Sequence, residues 1–244
     1  PPAAAAGEPD DAGQRILAAI NGNEFTLLCH RIVPLAADPA APAHYELLIR
    51  LLEEESGMVP PGAFFPLAEE FGLLPQLDRW VVSNLLDWMA GPEGAAIVAA
   101  GSLYFVNIAA ATLSDPDFPD FVELQLRRTG IAGRAVCFEI DEADLVRKSG
   151  DAQAFARQVR LNGCRIAISG FGESGRSLEL LKQFPADFVK INGSIVRQAL
   201  AYPVPRAKVA ATVRAAREIG ARTVAEMVED DGTLAMLRSA GVDF

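Results

Sequence analysis

Seven polar residues stand at or near the C-terminal ends of apolar runs. They are Glu46 and Arg50 in YELLIRL, Asn107 after LYFV, Glu139 in VCFEI, Ser169 after RIAI, Lys190 in FVKI and Glu226 after TVA. A carboxylate buried in apolar surroundings costs several kcal/mol unless it is ion-paired, hydrogen-bonded or bound to metal. Glu46, Glu139 and Glu226 with the Asn107 amide make an all-oxygen set suited to a hard cation such as Mg²⁺, Mn²⁺ or Ca²⁺. Each glutamate taken singly reads as a residue paired with a neighbouring Arg or Lys. Recurrence at the ends of successive runs is what argues for a site. Ser169, followed by glycine, invites a nucleophile reading, but no nucleophile-elbow pattern surrounds it, and both histidines, His30 and His44, lie near the N-terminus.

Such residues need a scaffold that lines up strand ends. Strand-like runs fall at 25–33, 44–51, 103–107, 136–140, 165–169, 188–191 and 223–225, and the Pro- and Ala-rich stretch 35–43 suits a hairpin loop between the first two, making the first strand antiparallel. Helix-length amphipathic segments lie at 61–71, 77–89, 118–128, 151–162, 177–183, 204–219 and from 231 onward. Continuous apolar runs indicate buried parallel strands covered by helices. Five successive strand-helix units predict an α/β fold of the TIM-type (β/α)8 barrel, whose chemistry sits at the C-terminal strand ends. A doubly wound open sheet is the alternative, weakened because no Gly-rich fingerprint follows the first strand.

The 244 residues suffice for one large barrel, and with half the residues hydrophobic and 22% charged the chain is globular. A net charge of −10 argues against a nucleic-acid partner, since phosphate binding needs local Arg, Lys or metal. No apolar run reaches the length of a membrane span. Cys29, Cys137 and Cys164 have no metal-ligand spacing, which predicts reduced thiols and a cytoplasmic location. Residues 1–22 read as a linker followed by a lead-in helix at 11–20, and 23–244 as the domain. The chain begins without Met and stops at Val-Asp-Phe inside a strand-helix unit, so a piece of a longer multidomain protein is expected.

The segments YELLIRL (45–51), PPGAFFPLAEEFGLLPQLDRWVV (60–82), FVNIAAATL (105–113), CFEIDEADL (137–145), IAISGFGESGRSLELLKQFPADFVKINGSIV (166–196) and TVAEMVED (223–230) together resemble the EAL domain, the bacterial cyclic di-GMP phosphodiesterase family. The resemblance runs from residue 25 to 244 and implies a barrel with an antiparallel first strand that lacks the family's last strand-helix unit. In active members a metal pair held at strand ends activates water against the phosphodiester. It implies metal-ligand positions for Glu46, Asn107, Glu139 and Glu226. By the same resemblance Lys190 assists the water, Arg50 contacts ligand phosphate and Glu142 steadies the mouth loop.

The departures fall on the chemistry. Ser169-Gly170 stand where the family has two consecutive aspartates, Asn192 replaces a further aspartate, the mouth loop reads ESGRS, and Met227 replaces a glycine. Neither a hydroxyl nor a bare glycine supplies the charge that holds a metal pair. The carboxylates that remain suffice for at most one weakly held Mg²⁺ or Mn²⁺, leaving Lys190 and Glu142 vestigial and no cofactor required. Ligand-binding candidates survive: Arg50 and Arg176 for phosphate, Asp78 and Glu229 for guanine, Leu48 and Met227 for apolar contact. Within the family the wording is similar to the FimX type of receptor. These residues predict a catalytically silent cyclic di-GMP receptor that signals to a partner protein or to upstream regulatory domains, with a homodimer as a further option. A weak metal-dependent phosphodiesterase and a scaffold that binds no nucleotide are the alternatives.

Overall fold

The computed structural model describes residues 9–35, 42–53 and 57–244. One sheet runs through β1 (Phe25–Ile32), β2 (His44–Glu53), β4 (Leu103–Asn107), β5 (Val136–Asp141), β6 (Arg165–Phe171), β7 (Phe188–Ile191) and β8 (Arg222–Ala225), in that order, with β3 (Gly57–Val59) attached to the C-terminal part of β2. β1 is antiparallel to β2, as the hairpin predicts, and every later neighbour along the path is parallel. Helices α1 (Pro9–Asn21), α2 (Pro61–Glu70), α3 (Leu74–Ala90), α4 (Pro92–Ala99), α5 (Ala110–Leu113) and α6 (Phe118–Thr129) precede β5. After it come α7 (Glu142–Arg147), α8 (Ser149–Leu161), α9 (Ser177–Gln183), α10 (Gly193–Ala199), α11 (Pro203–Glu218) and α12 (Asp231–Ala240).

Side chains alternate across each strand, so a strand buried on both faces feeds two cores. One set, Ile32, Leu103, Phe105, Cys137, Ala167, Phe188 and Val224, joins Phe244 in the barrel interior. The alternate set, including Tyr104, Val106, Phe138, Ile166, Ile168 and Val189, packs outward against the helices. The fold is a TIM-like barrel with an antiparallel first strand, and it lacks the last unit. On the side of β8 away from β7, Asp243 and Phe244 stand among the described residues: the Phe244 N–H donates to the Thr223 carbonyl at 3.0 Å, the Ala225 N–H to the Phe244 carbonyl at 2.9 Å, and the Leu35 N–H to the Asp243 carbonyl at 2.8 Å.

Expected strands and helices agree with the observed ones to within three residues at their ends. The sequence reading does not separate β3, α4, α5, α7 and α10, which are three to eight residues long, too short for periodicity to register. The linker expected at 1–10 lies largely outside the described residues, as does most of the 35–43 loop; Pro9 and Asp10 already belong to α1. α1 buries Ile16 and Ala19 in the main core. The three cysteines are free, and no helix among the described residues is long and apolar enough to cross a membrane.

Candidate functional site

The alternation that places Phe105, Cys137, Ala167, Phe188 and Val224 inside the barrel also places Asn107, Glu139, Ser169, Lys190 and Glu226, two residues further on, on the same face at the C-terminal end. Lys190, 2% exposed, stands at the centre. Its Nζ lies 2.9 Å from Glu46 Oε2, 2.9 Å from Glu139 Oε1 and 3.8 Å from Glu226 Oε1, and it donates to Glu139 Oε2 at 3.0 Å. Three carboxylates thus share one ammonium. Burial pushes Glu139 up to about 7 against the pull of Lys190, with Glu46 raising it further. Burial also raises Glu226. For Lys190, burial disfavours the charge, but Glu139, Glu46 and Glu226 outweigh it and hold the ammonium above the ordinary lysine value. Among the described residues, no three Asp, Glu, His or Cys side chains converge as a metal-ligand set.

Beside this ring, β6 carries an irregularity. Ile168 pairs with Val189 and Phe171 with Ile191, so β6 spends one residue more than β7 across Ser169-Gly170. Gly170 adopts φ +62°, and a Cβ there would stand 2.9 Å from Asp141 Oδ2. The Asp141 carboxylate, which also caps α7 by accepting from the Ala143 N–H at 2.8 Å, therefore fills the space beside the bulge. Asn192 caps α10, its Oδ1 accepting from the Ser194 N–H at 2.7 Å. Met227 has φ +54°, a left-handed conformation that costs a non-glycine residue about 1 kcal/mol. Its side chain covers Gly193, and its Sδ accepts from Arg197 at 3.0 Å.

The mouth loop is anchored through Gly172. Its N–H donates to the buried Glu142 Oε2 at 3.0 Å, and its carbonyl accepts from Lys208 Nζ of α11 at 2.9 Å. Only glycine fits there, since φ is +105° and a Cβ would meet Ile195 Cδ1 at 2.7 Å.

The candidate ligand residues are spread more widely. Leu48, Asp78 and Asn107 line one cavity of about 220 Å³. Asp78 is 4% exposed, and its Oδ2 accepts from the Ala109 N–H at 3.0 Å and from Thr112 Oγ1 at 2.5 Å, holding the start of α5. Arg79 pairs with Asp115 at 2.7 Å instead of with Asp78. Arg50 donates to the Ile49 carbonyl at 2.8 Å and has no ion pair among the described residues. Arg176 is exposed and pairs with Glu179 at 3.2 Å, and Glu229 is exposed. The structure therefore brings together Glu46, Glu139, Lys190 and Glu226. It joins Leu48 and Asp78 to Asn107, and it engages Arg176 locally. Asp141 and Lys208 are not singled out by the sequence: Asp141 caps a short helix and meets Gly170 only through the fold, and the partner of Lys208 is a backbone carbonyl 36 residues away.

The chain matches the model of the EAL domain over residues 14–244, and it belongs to that family. It is 30% identical over 230 residues to cyclic di-GMP phosphodiesterase PdeF of Escherichia coli K12, covering 94% of this chain and 30% of that protein, so it spans under a third of the relative's length. Among solved structures it is similar to the FimX EAL domain of Pseudomonas aeruginosa bound to c-di-GMP, with TM-score 0.85, 28% identity and coverage of 97% and 92% of the two chains. It is also similar to the PaMucR phosphodiesterase in its c-di-GMP complex, with TM-score 0.85, 25% identity and coverage of 96% and 93%.

Proposed function

We propose that this domain is a cyclic di-GMP receptor that does not hydrolyse its ligand and passes the bound state to a partner protein or to regulatory domains of a longer cytoplasmic chain, alone or as a homodimer. One observation carries the reading: the glutamates at the strand ends already share the Lys190 ammonium, while the bulge beside them offers Ser169 and Gly170 in place of carboxylates. The donor set fits a tight pair of divalent ions poorly. A metal pair would supply an activated water, and each loss of about 1.4 kcal/mol of transition-state stabilisation lowers the rate tenfold. The Lys190 cation also offsets part of the acidic charge that would repel a dianionic ligand.

Binding needs less. Arg50 keeps a guanidinium that has no carboxylate partner among the described residues and can take a phosphate, and the Leu48–Asp78–Asn107 cavity offers an apolar wall with acceptors for a base edge. The exposed Met227 and Glu229 flank the ring, and Arg176 can leave a surface pair that is worth little. The same dinucleotide in a FimX EAL domain and in PaMucR supports the ligand.

Calorimetric titration with cyclic di-GMP, with and without Mg²⁺ or Mn²⁺, tests it. Saturable binding is expected without metal, weakened at least about tenfold in Arg50→Ala, the worth of one charge-assisted contact. Absence of heat favours the scaffold reading. Metal-dependent appearance of the linear dinucleotide, lost in Glu46→Ala, would overturn the receptor in favour of an enzyme.

A further inference from the structure

The N-terminal end of the barrel, opposite the glutamates, holds a cavity of about 260 Å³ whose wall includes Arg134, Arg165, Arg222, His44, Ser102 and Phe188. Strand alternation explains the convergence: Arg165 and Arg222 lie two residues before the interior Ala167 and Val224, on the same strand face. Arg134 comes from the turn just before β5. In a chain of net charge −10, none of these three guanidiniums makes an ion pair or hydrogen bond among the described residues. Arg222 instead lies over the Phe244 ring, 5.8 Å from its centroid, which holds it in place.

His44 is the buried component. It is 6% exposed, its Nδ1 has no hydrogen-bond partner, and its ring is wedged against Phe244 at 5.0 Å and Phe188 at 6.1 Å. Burial and then the charge of Arg222 hold this imidazole below its ordinary value against the pull of the Ala43 backbone, and Arg165 lowers it further, so both guanidiniums act on the cavity wall. The buried His44 nitrogen lacks a partner, and the three exposed guanidiniums, unpaired among the described residues, leave their donors free for an oxyanion that supplies acceptors and negative charge.

We propose that this basal cavity is a second ligand site, independent of the cyclic di-GMP reading, which takes a phosphate group, either free or as the monoester of a small molecule. The arginine forks supply paired donors suited to phosphate oxygens. The volume is below the roughly 300–1,000 Å³ of pockets for drug-sized ligands, which limits the occupant to a compact one.

The test is thermal shift and calorimetry on the whole chain with inorganic phosphate, pyrophosphate and guanosine monophosphate, against chloride at matched ionic strength. Saturable binding of at least one phosphate probe is expected, with the His44 ring resonances shifting in step. The exposed-residue variant Arg134→Gln/Arg165→Gln/Arg222→Gln should weaken it at least about tenfold while keeping a cooperative thermal transition. Binding by inorganic phosphate alone assigns a free oxyanion, and tighter binding of the monophosphate assigns an ester. No saturable response to any probe, or an undiminished one in the triple variant, overturns the site. A triple variant that fails to fold moves the test to Arg165→Gln and Arg222→Gln singly, each expected to weaken the wild-type response, with no loss in either counting against the proposal.

Discussion

Asp78 shows how one carboxylate in a cavity wall serves a structural task. Burial pushes it up to about 6, against the bonds from Thr112 and Ala109 that pull it down. Its folded value lies above the unfolded 3.8, so the protonated form is favoured by folding. That stabilisation is fully present below pH 3.8 and is lost as pH rises through about 6. Asp78→Asn keeps an acceptor for the Ala109 N–H and removes the titration. Between pH 4 and pH 7 the wild type is therefore expected to lose roughly 2–3 kcal/mol relative to the variant. Urea melts across that range read the difference directly, and a gap that stays constant with pH would show that Asp78 titrates as an ordinary aspartate. The guanine-contact role implied for Asp78 by family resemblance carries no such information, because the Thr112 and Ala109 partners lie some thirty residues along the chain and meet it only after folding.

At the scale of elements, the bulge in β6 decides what can be built at the mouth. Gly170 is held at φ +62° against Asp141, so the position resists a side chain, an aspartate included. Gly170→Ala is expected to cost about 1–2 kcal/mol from backbone conformation, plus the clash with Asp141. A double-mutant cycle with Asp141→Ala should recover the clash component, and strict additivity of the two changes would contradict the crowding. Ser169-Gly170 at the end of its run is plain in the sequence, and so are the strands, because buried parallel strands read as unbroken apolar runs such as LYFV and VCFEI. The glutamate ring was also readable, from one residue at each run end. What could not be read is the extra residue in β6 and the carboxylate beside it. Both depend on the register between neighbouring strands, and a single strand's pattern does not encode that. The short helices α5, α7 and α10 escaped for a related reason: their ends are set by Ala109, Asp141 and Asn192 turning over the barrel rim rather than by an apolar stripe.

For the whole molecule, α1 packs into the same core as the barrel's outer helices. Ile16 is 3% exposed and Ala19 fully buried, and a Cβ on Gly13 would strike the Phe71 ring at 2.6 Å. Ile16→Ala is expected to lower the unfolding free energy by about 2–4 kcal/mol within a single transition. A separate early transition would instead show the helix to be an appendage. The two ends of the barrel carry opposite charge, acidic at the strand C-termini and basic at the N-termini, with one layer of aromatic and aliphatic side chains between them. The mouth is also tethered sideways. Because α7 grips the amide of Gly172 and α11 its carbonyl, the loop cannot shift without one of two helices on the barrel's flank giving way. Displacing α11 would therefore move or break the Lys208 bond at the rim, so the position of that helix and the shape of the opening are linked through a single glycine.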